Sequence, residues 1–458
     1  MKSIGTHRSY QIKTICNAPI ELIDGDRGKN YPKQHDFSSS GYCLFLNAGN
    51  VTKSGLDFHE CAFISEEKDS LLGKGKLRRG DIIVTTRGTL GNIGYYDKSA
   101  PYDKVRINSG MIILRPLESE LEATFLYCYL RSALFQSQVT KLSSGSAQPQ
   151  LPIRDFRNIE IPLPPLPEQR RIAHILGTLD DKIENNRKTA KSLEAMAQAI
   201  FKSWFVDFDP VRAKMNGEPE ESICKRLKIT PEILDLFPDR LVDSELGEIP
   251  EGWEIGTFGD YADIVGGSTP STTIPEYWVS GTHHWATPKD LSSLAMPVLL
   301  ATENKITDAG LQQVSSHLLP VGTVLLSSRA PIGYLAITEI PVAINQGFIA
   351  LKPHNYEYCT FLLFLVKQNM EEIISRANGS TFLEISKSKF RPIPVVYSPQ
   401  GILQSFAKLT MPLFLRIVSL EKLTQSLTAQ RDTLLPKLIS GEVRVPEVEH
   451  FVKAAMGN

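Results

Sequence analysis

One short run of residues has the composition of a phosphate-binding loop. Residues 24–30 read Asp-Gly-Asp-Arg-Gly-Lys-Asn, and a Gly-Lys pair of this kind holds phosphate oxygens in a P-loop. A P-loop also needs a glycine five positions before its second glycine and a serine or threonine after the lysine. Ile23 and Asn30 stand at those two positions, so we do not expect this loop to bind a nucleotide.

Other residue sets that could carry catalysis are also missing from the sequence. There is no Asn-Pro-Pro-Tyr or Asp-Pro-Pro-Tyr motif for amino methylation, no glycine-rich strand-turn-helix for a methyl donor and no nuclease-like acidic set with a lysine. His283 and His284 are adjacent, so on a strand they would face opposite sides and could not share a metal ion. The six cysteines form no CxxC pair, which predicts reduced thiols. We therefore expect neither a catalytic site nor a metal site.

Two arginines occupy matching positions directly after apolar strands. Arg87 lies in GDIIVTTRGTLG from Gly80, and Arg329 lies in GTVLLSSRAPIG from Gly322. A guanidinium at such a position could contact a phosphate or pair with guanine through two hydrogen bonds. A salt bridge that holds the loop is the alternative. We favour the nucleic-acid role, because loops on a rigid scaffold often carry function.

Two loops rich in glycine and serine follow in the same regions. They read LSSGSAQPQL from Leu142 and RANGSTFLEI from Arg376. Their hydroxyls and amides suit hydrogen bonds to base edges, and Gln148 and Gln150 could pair with adenine. A flexible linker would have the same composition, so both interpretations stand.

Further candidate contacts are polar or cationic residues near these loops. A cluster of cations at residues 74–79 suits phosphate better than bases, because point charges position a protein without specifying a sequence. A solvated charged face is the other interpretation of this cluster, and helix capping is the alternative for the hydroxyls of the second half. The complete set of candidate nucleic-acid contacts is Arg27, Lys29, Asn30, Tyr31, Lys76, Arg78, Arg87, Thr89, Ser144, Ser146, Gln148, Gln150, Ser268, Thr269, Ser271, Lys289, Ser328, Arg329, Tyr334, Asn378, Ser380 and Thr381.

These candidates belong to two halves that are related by an internal repeat. Gly80 and Gly322 are 242 positions apart, and Gly145 and Gly379 are 234 apart. This offset is far too long for a solenoid and indicates a duplicated domain. Short apolar runs bounded by glycine predict strands at residues 81–86 and 323–326, and apolar helices are expected at 125–130 and 361–366.

A long helix is expected after each half. Residues 168–205 contain no proline, and their apolar residues follow a seven-residue spacing in which Asn186 is a polar member. The C-terminal segment repeats this spacing, and one helix cannot bury such a stripe alone, so we predict that the two helices pair as an antiparallel coiled coil. The residues expected at the interface are Ile172, Leu179, Leu193, Ile200, Leu420, Leu427 and Leu434, with Ile175, Met196, Ile417 and Leu438 on companion series.

Composition and charge set the class of protein. The chain has 458 residues, 42% hydrophobic and 22% charged, which is typical of a globular protein with two or more domains. It starts without a signal peptide, and its longest apolar run, residues 361–366, is too short to span a bilayer. We therefore expect a cytoplasmic protein without a membrane partner.

The net charge of −1 lacks the basic excess of a nonspecific nucleic-acid binder. Residues 1–165 hold 21 Lys and Arg against 17 Asp and Glu, or +4, whereas residues 246–398 hold 9 against 14, or −5. The second half therefore needs another source of phosphate affinity.

Several segments in combination resemble the specificity subunit of type I restriction-modification systems. They are PLPPLPEQRRIAHILGTLDDKIENNRK from Pro162, FKSWFVDFDPVRAK from Phe201, LGEIPEGWE from Leu246 and LLPKLISGEVRV from Leu434. The resemblance covers essentially the whole chain. The second half adds GGSTPST from Gly266, where the first half has DGDRGKNYP from Asp24, and this difference suggests that the halves read unlike targets.

The resemblance implies two target recognition domains that each read one half of a bipartite site in double-stranded DNA. It also implies helical regions that set the spacer between the halves and bind two methyltransferase subunits. Methylation, translocation and cleavage would belong to partner subunits, including restriction and translocase subunits. S-adenosylmethionine, ATP and magnesium are expected in those partners, this chain itself needs no cofactor, and the system would serve host defence.

The sequence thus predicts an α+β protein with a pseudo-twofold internal repeat. Two mixed α/β target recognition domains, at residues 1–165 and 246–398, are separated by helical spacer regions at 166–245 and 399–458. Two alternatives remain open. One is a coiled-coil scaffold that binds only proteins, and the other is a self-contained DNA modification enzyme, which the missing motifs disfavour.

Overall fold

The computed structural model describes residues 10–53, 55–145, 149–329, 331–379, 383–440, 442–443 and 445. The chain divides into two compact units. Unit 1 is Met1–Ile183 with Ser426–Asn458, and unit 2 is Glu184–Gln425. Each unit takes part of both long helices, so the predicted division into four segments stays a prediction.

Unit 1 is built on a four-stranded antiparallel sheet of order β2-β10-β7-β8. A three-stranded sheet of order β6-β3-β9 contains the parallel pair β3 and β9. Two further pairs join β1 to β11 and β4 to β5. These strands are β1 (Gln11–Thr14), β2 (Ile20–Asp24), β3 (Cys43–Leu46), β4 (Val51–Thr52), β5 (Gly55–Leu56), β6 (Phe63–Ile64), β7 (Asp81–Thr85), β8 (Ile93–Tyr96), β9 (Val105–Ile107), β10 (Met111–Pro116) and β11 (Glu160–Leu163).

The four-stranded sheet of unit 1 is covered on both faces, which explains its continuous apolar strands. Ile82 and Val84 of β7 pack with the helices, whereas Ile83 packs toward the three-stranded sheet. Successive side chains of a strand point to opposite faces, so a strand buried on both faces must be apolar throughout. The helices of unit 1 are α1 (Glu66–Leu71), α2 (Ala123–Leu130), α3 (Ala133–Leu142), α4 (Ile153–Phe156) and the first part of α5 (Leu166–Phe205), with 3-10 turns at Ile15–Asn17, Gln34–Asp36 and Ala48–Asn50.

Unit 2 has strands β12 (Leu241–Ser244), β13 (Gly247–Pro250), β14 (Glu254–Thr257), β15 (Ala262–Gly266), β16 (His283–Ala286), β17 (Val298–Leu299), β18 (Asn304–Ile306), β19 (Val324–Ser328), β20 (Ile332–Thr338), β21 (Val342–Ile344), β22 (Phe348–Pro353) and β23 (Pro394–Tyr397). Its main sheet has the order β15-β22-β19-β20-β17. A smaller sheet of order β18-β16-β21 contains the parallel pair β16 and β21, and two further pairs join β12 to β13 and β14 to β23. The first four strands of this order, β15-β22-β19-β20, correspond to β2-β10-β7-β8 of unit 1, and β17 is added at the edge beside β20.

The helices of unit 2 cover one face of the main sheet, as in unit 1. Val324 and Leu326 of β19 pack with the helices, and Leu325 packs toward the smaller sheet. Both units are therefore mixed helix and sheet structures, which confirms the predicted fold class at this level. The helices are α6 (Asp209–Met215), α7 (Glu220–Leu227), α8 (Pro231–Leu234), α9 (Phe258–Tyr261), α10 (Pro288–Ser292), α11 (Asp308–Leu311), α12 (Cys359–Gln368), α13 (Met370–Ser375), α14 (Lys387–Phe390) and α15 (Gln400–Ser440), with 3-10 turns at Pro275–Tyr277 and Tyr356–Tyr358.

Parts of α5 and α15 pack together within each unit. In unit 1, Ile172, Leu179 and Leu427 share one core, which Leu434 borders, and the Arg431 guanidinium donates to the Asp180 carboxylate at 2.7 Å. In unit 2, the Phe201 and Phe406 rings are 6.1 Å apart between centroids, and Leu420 is buried in the same core.

The buried face of α5 departs from the predicted seven-residue series after Asn186. Leu193 and Ile200 are only partly buried, and Met196 is 54% exposed, so its assignment to the interface was wrong. A straight helix drifts about 20° per heptad, so over three heptads the buried stripe moves to neighbouring positions. The residues that are buried instead are Ala190, Ala197, Phe201 and Trp204.

Helix α15 is long and apolar enough to cross a membrane by length and composition alone, with a mean hydropathy of 1.2 over its most apolar window. Its apolar residues form no uninterrupted run long enough to span a bilayer, so the sequence prediction did not identify it. Half of that window is buried inside the protein, and Phe406, Ile417 and Leu420 lie in the core of unit 2. Packing in the protein core therefore accounts for its apolar face.

Candidate nucleic-acid interface

In unit 1, Arg87 lies two residues after the end of β7 and stands opposite the glycine-serine loop. Arg87 forms a backbone bridge with Gln150, and Gln150 bridges Ser144 in turn. The Ser144 and Gln150 amides donate to each other's carbonyl oxygens at 2.9 Å. The Leu151 amide donates to the Thr86 carbonyl at 3.0 Å, so the base of the loop is fixed to the end of a buried strand.

Unit 2 has the same arrangement at the end of β19. Arg329 bridges Glu384, and Glu384 bridges Asn378. The Asn378 and Glu384 amides donate to each other's carbonyls at 2.9 and 2.8 Å, and the Ile385 amide donates to the Ser328 carbonyl at 3.0 Å. We call these two sets the arginine bridges: Arg87, Ser144 and Gln150 in unit 1, and Arg329, Asn378 and Glu384 in unit 2.

A glycine in a left-handed conformation opens the turn of each bridge. Gly145 has φ 93° and Gly379 has φ 119°, values that strain residues with a Cβ atom. The glycine shared by the two loops is therefore required by the backbone conformation at this position. This requirement favours a defined turn over a flexible linker. Of the loop residues that the structure describes, Gln150 bridges Arg87 and Glu384 bridges Arg329.

The two bridges differ in the side chain that faces the arginine. Arg87 is exposed, and within the described residues its guanidinium has no hydrogen bond or ion pair. The Arg329 Nη1 atom lies 3.8 Å from Glu384 Oε1, and the two side chains are 36% and 51% exposed. Gln150 and Glu384 occupy equivalent positions, so the scaffold is shared while the charge beside the arginine is not.

The predicted loop at residues 27–31 is held by contacts inside unit 1. The Arg27 guanidinium contacts the Asp24 carboxylate at 3.2 Å and the Ser109 carbonyl at 3.3 Å. The Asn30 side chain donates to the Leu71 carbonyl at 3.2 Å, and the Tyr31 ring packs on Phe45. These contacts favour a structural role for Asn30 and Tyr31. Lys29 is exposed and stays available to a phosphate.

The basic cluster at residues 74–79 is not one free cationic surface. Arg79 donates to the carbonyls of residues 97, 100 and 102 and therefore has a structural role. Lys76 pairs with the buried Asp69 at 2.7 Å. Burial alone would raise the pKa of Asp69, but hydrogen bonds from Lys76 and Arg106 hold that pKa below its ordinary value. The Arg78 side chain is exposed, so it is the better phosphate candidate.

The hydroxyl candidates hold loops together instead of capping helices. In unit 2, Ser268 Oγ donates to the Gln313 carbonyl at 3.0 Å, and Thr269 Oγ1 donates to Gln346 at 2.5 Å. Ser271 Oγ contacts Thr273 Oγ1 at 2.8 Å. In unit 1, Thr89 Oγ1 donates to the Ala48 carbonyl at 3.2 Å.

Ser328 was wrongly predicted as a contact, because it is 2% exposed and forms the last position of β19. Ser327 is buried as well, and the Ser-Ser-Arg pattern did not show that neither hydroxyl reaches the surface. Tyr334 is partly buried, and Lys289 is 75% exposed and paired with Glu303 at 2.8 Å. Four further predicted contacts lie outside the described residues, namely Ser146, Gln148, Ser380 and Thr381.

Sequence reasoning missed Glu384. A carboxylate repels phosphate, so the residue type of Glu384 does not by itself suggest a DNA contact. The repeat could have pointed to Glu384. It lies 234 positions after Gln150, the same offset that separates Gly145 from Gly379.

The histidines have separate partners. His283 Nε2 lies 2.6 Å from the Asp308 carboxylate, and His284 Nδ1 lies 3.0 Å from Thr302 Oγ1. Across the described ranges no cluster of three or more His, Cys, Asp or Glu side chains is suited to a metal ion.

Comparison with known proteins places the chain in a family. The model of the type I restriction modification DNA specificity domain matches residues 9–195 and 250–405. The HindI specificity subunit of Haemophilus influenzae is 27% identical over 92% of this chain and 98% of its own length. The MjaIX specificity subunit of Methanocaldococcus jannaschii is 27% identical over 87% of each chain.

The fold also has a solved relative. The structure of a type I restriction-modification S subunit from M. genitalium matches with a TM-score of 0.52 at 19% identity, over 95% of this chain and 97% of that chain. This likeness concerns the fold alone. Because the domain model matches twice and covers most of the sequence, the chain belongs to the type I restriction modification DNA specificity family.

Proposed function

We propose that this chain reads DNA sequence for a type I restriction-modification complex and leaves catalysis to its partners. The observation that carries the proposal is the arginine bridge, which occurs in both units at equivalent strand ends. Each bridge presents a guanidinium beside polar loop side chains on a rigid strand end. Arginine is the side chain best suited to two parallel hydrogen bonds with guanine, and family membership agrees with this role.

Each unit would read one half of a bipartite site in double-stranded DNA. The shared scaffold explains how two readers arise from one duplicated domain. The different side chains beside the arginines, Gln150 and Glu384, then explain how the two halves of the site differ. A chain with two unlike readers recognises an asymmetric site, which two identical chains related by a twofold axis do not.

The long helices would pair as an antiparallel coiled coil and set the spacer between the half-sites. The packing of α5 with α15 inside each unit supports this proposal. The same helical regions would bind two methyltransferase subunits, and restriction and translocase subunits would join the full complex. S-adenosylmethionine, ATP and magnesium would act in those partners. Their phosphate contacts would also offset the excess of acidic residues in the second half.

The test compares the purified chain with the same chain assembled with its methyltransferase subunits. Both are given S-adenosylmethionine and a plasmid library of random sequence, and the methylated positions are mapped by sequencing. We expect no methyl transfer by the chain alone and methylation of one bipartite sequence by the complex. Methyl transfer by the pure chain would show a modification enzyme. An assembled complex that binds DNA without sequence preference would show a protein-binding scaffold.

A further inference from the structure

The arginine bridge of unit 2 places a donor and an acceptor side by side. Arg329 Nη1 and Glu384 Oε1 are 3.8 Å apart, and both side chains are substantially exposed. The backbone bridge between the two residues keeps their backbones side by side. Lys389 donates to the Asn378 side chain at 2.7 Å and braces the other side of the loop. The pair is therefore held at the surface on a fixed backbone.

This arrangement matches the major-groove edge of a G·C base pair. Guanine presents the O6 and N7 acceptors there, and cytosine presents the N4 amino donor. Guanine O6 and cytosine N4 lie side by side on that edge and are joined by a hydrogen bond of about 2.9 Å, so a donor and an acceptor that are themselves neighbours can face both atoms. A guanidinium on guanine and a carboxylate on the adjacent amino group would satisfy both bases at once.

We propose that Arg329 and Glu384 together read one G·C pair in the half-site of unit 2, an inference that rests on the proposed function. Glu384 is the specificity-determining residue of the two. An ionised carboxylate has only acceptors, so it disfavours thymine O4 and guanine O6 at the position where it meets cytosine. Rejection of wrong bases is an effective source of specificity.

Gln150 in unit 1 does not impose the same restriction. An amide carries both a donor and an acceptor, so it can pair with adenine or rotate to face an acceptor. The ion pair of unit 2 does not oppose DNA binding either, because exposed pairs contribute little to stability. The Arg329 guanidinium can therefore turn to guanine while Glu384 stays beside it.

The experiment uses the full chain assembled with its methyltransferase subunits and the random-sequence plasmid library as the probe. Glu384→Gln and Arg329→Lys are compared with the unmodified chain by mapping methylated sites. Lysine keeps the charge but loses the planar pair of donors. We expect both variants to lose discrimination at the same G·C pair, by roughly 5- to 150-fold, while every position in the other half-site is unchanged.

The matched control is Asp263→Asn, which removes the carboxylate of another exposed ion pair of unit 2, that of Asp263 with Lys352 at 3.4 Å. It should leave the recognised site unchanged. The inference is overturned when the two variants alter different base pairs, alter an A·T pair or leave every position unchanged. If the unmodified complex itself shows no bipartite preference, the proposed function fails instead.

Discussion

Units 1 and 2 share the order of four strands in their main sheets, yet their smaller three-stranded sheets are stabilised differently. In unit 1, β9 carries Arg106, which is 5% exposed and donates to the Asp69 carboxylate and to the Leu72 carbonyl. In unit 2, the corresponding strand β21 carries Ala343, which packs with Trp285. A buried ion network and an apolar aromatic cluster thus occupy matching positions in the two smaller sheets.

This difference shows that buried side chains vary between the units while the strand pairing stays the same. The hydrogen bonds that fix each arginine bridge use backbone atoms, so they do not depend on which side chain faces the arginine. Gln150 and Glu384 can therefore differ without a change in the fold. Under the proposed function, one architecture would then carry two specificities.

The largest effect is expected from changing the helices that connect the units. Four residues inserted after Lys188 and four after Leu420 would lengthen both helices by ~6 Å and keep the apolar faces nearly in phase. We expect the spacer to grow by roughly one or two base pairs, with both half-site sequences retained. Two-residue insertions would rotate the faces by about 200° and should abolish assembly. Mapping of methylated sites measures the spacer. An active four-residue variant with the original spacer would refute the proposal that the helices set the spacer length.

The buried ion network should make unit 1 sensitive to a single substitution. Asp69→Ala would leave Arg106 buried without its carboxylate and should lower the free energy of unfolding by ~3–5 kcal/mol. Hydrogen exchange read separately in each unit measures this effect, and unit 2 should be unchanged. Asp103→Ala is the control, because its carboxylate is 92% exposed in its pair with Arg79. Equal losses for the two variants would show that burial of the pair does not matter.

The exposed Arg87 guanidinium of unit 1 should matter for recognition rather than for stability. Arg87→Ala should cost ~1–3 kcal/mol of discrimination in one half-site, with no change in thermal stability. Competition binding by the assembled complex against single-base variants of the site measures this cost. Arg79→Ala provides the contrast, since Arg79 donates to three carbonyls. Its loss should lower thermal stability and leave base discrimination unchanged. Unaltered discrimination in the Arg87 variant would make this arginine structural.

A smaller difference between the units is expected in acid. The pKa values of Asp26, Asp36 and the buried Asp69 in unit 1 are lowered, whereas burial raises the pKa values of Glu339 and Glu421 in unit 2. The pKa values of Glu218, Glu232 and Glu372 in unit 2 are also lowered, but these carboxyls lie at the surface, where such interactions contribute little to stability. Lowered carboxyl pKa values stabilise the fold above the ordinary aspartate value of about 3.9, and that stability is lost as the pH falls below it. The raised values act in the opposite direction. Hydrogen exchange between pH 5 and pH 3 should therefore accelerate first in unit 1, and simultaneous opening of both units would contradict this account.

The sequence was sufficient for those features that depend on local patterns. The predicted helix at 168–205 is confirmed by Leu166–Phe205, and the predicted strand at 81–86 is confirmed by Asp81–Thr85. The apolar run that follows Gly80 identifies the strand, because this strand is buried on both faces. The matched positions of Arg87 and Arg329 were also visible in the sequence.

Features that depend on tertiary contacts could not be predicted in this way. Met196 follows the seven-residue spacing, but helix drift moves it to the surface. Arg79 and Arg78 are neighbours in the sequence, yet only Arg79 reaches the carbonyls of residues 97 to 102. The pairing of Arg329 with Glu384 joins residues 55 positions apart, and no local pattern reveals it.

The most direct test of the central claim, that each unit reads its own half of a bipartite site, is an exchange of one recognition region. Residues 1–165 are replaced by the matching region of a family relative, and the hybrid is assembled with methyltransferase subunits before its methylated sites are mapped. We predict that one half-site takes the sequence read by the donor, while the other half-site and the spacer stay the same. A hybrid that changes both half-sites, or an active hybrid that changes neither, would contradict the claim.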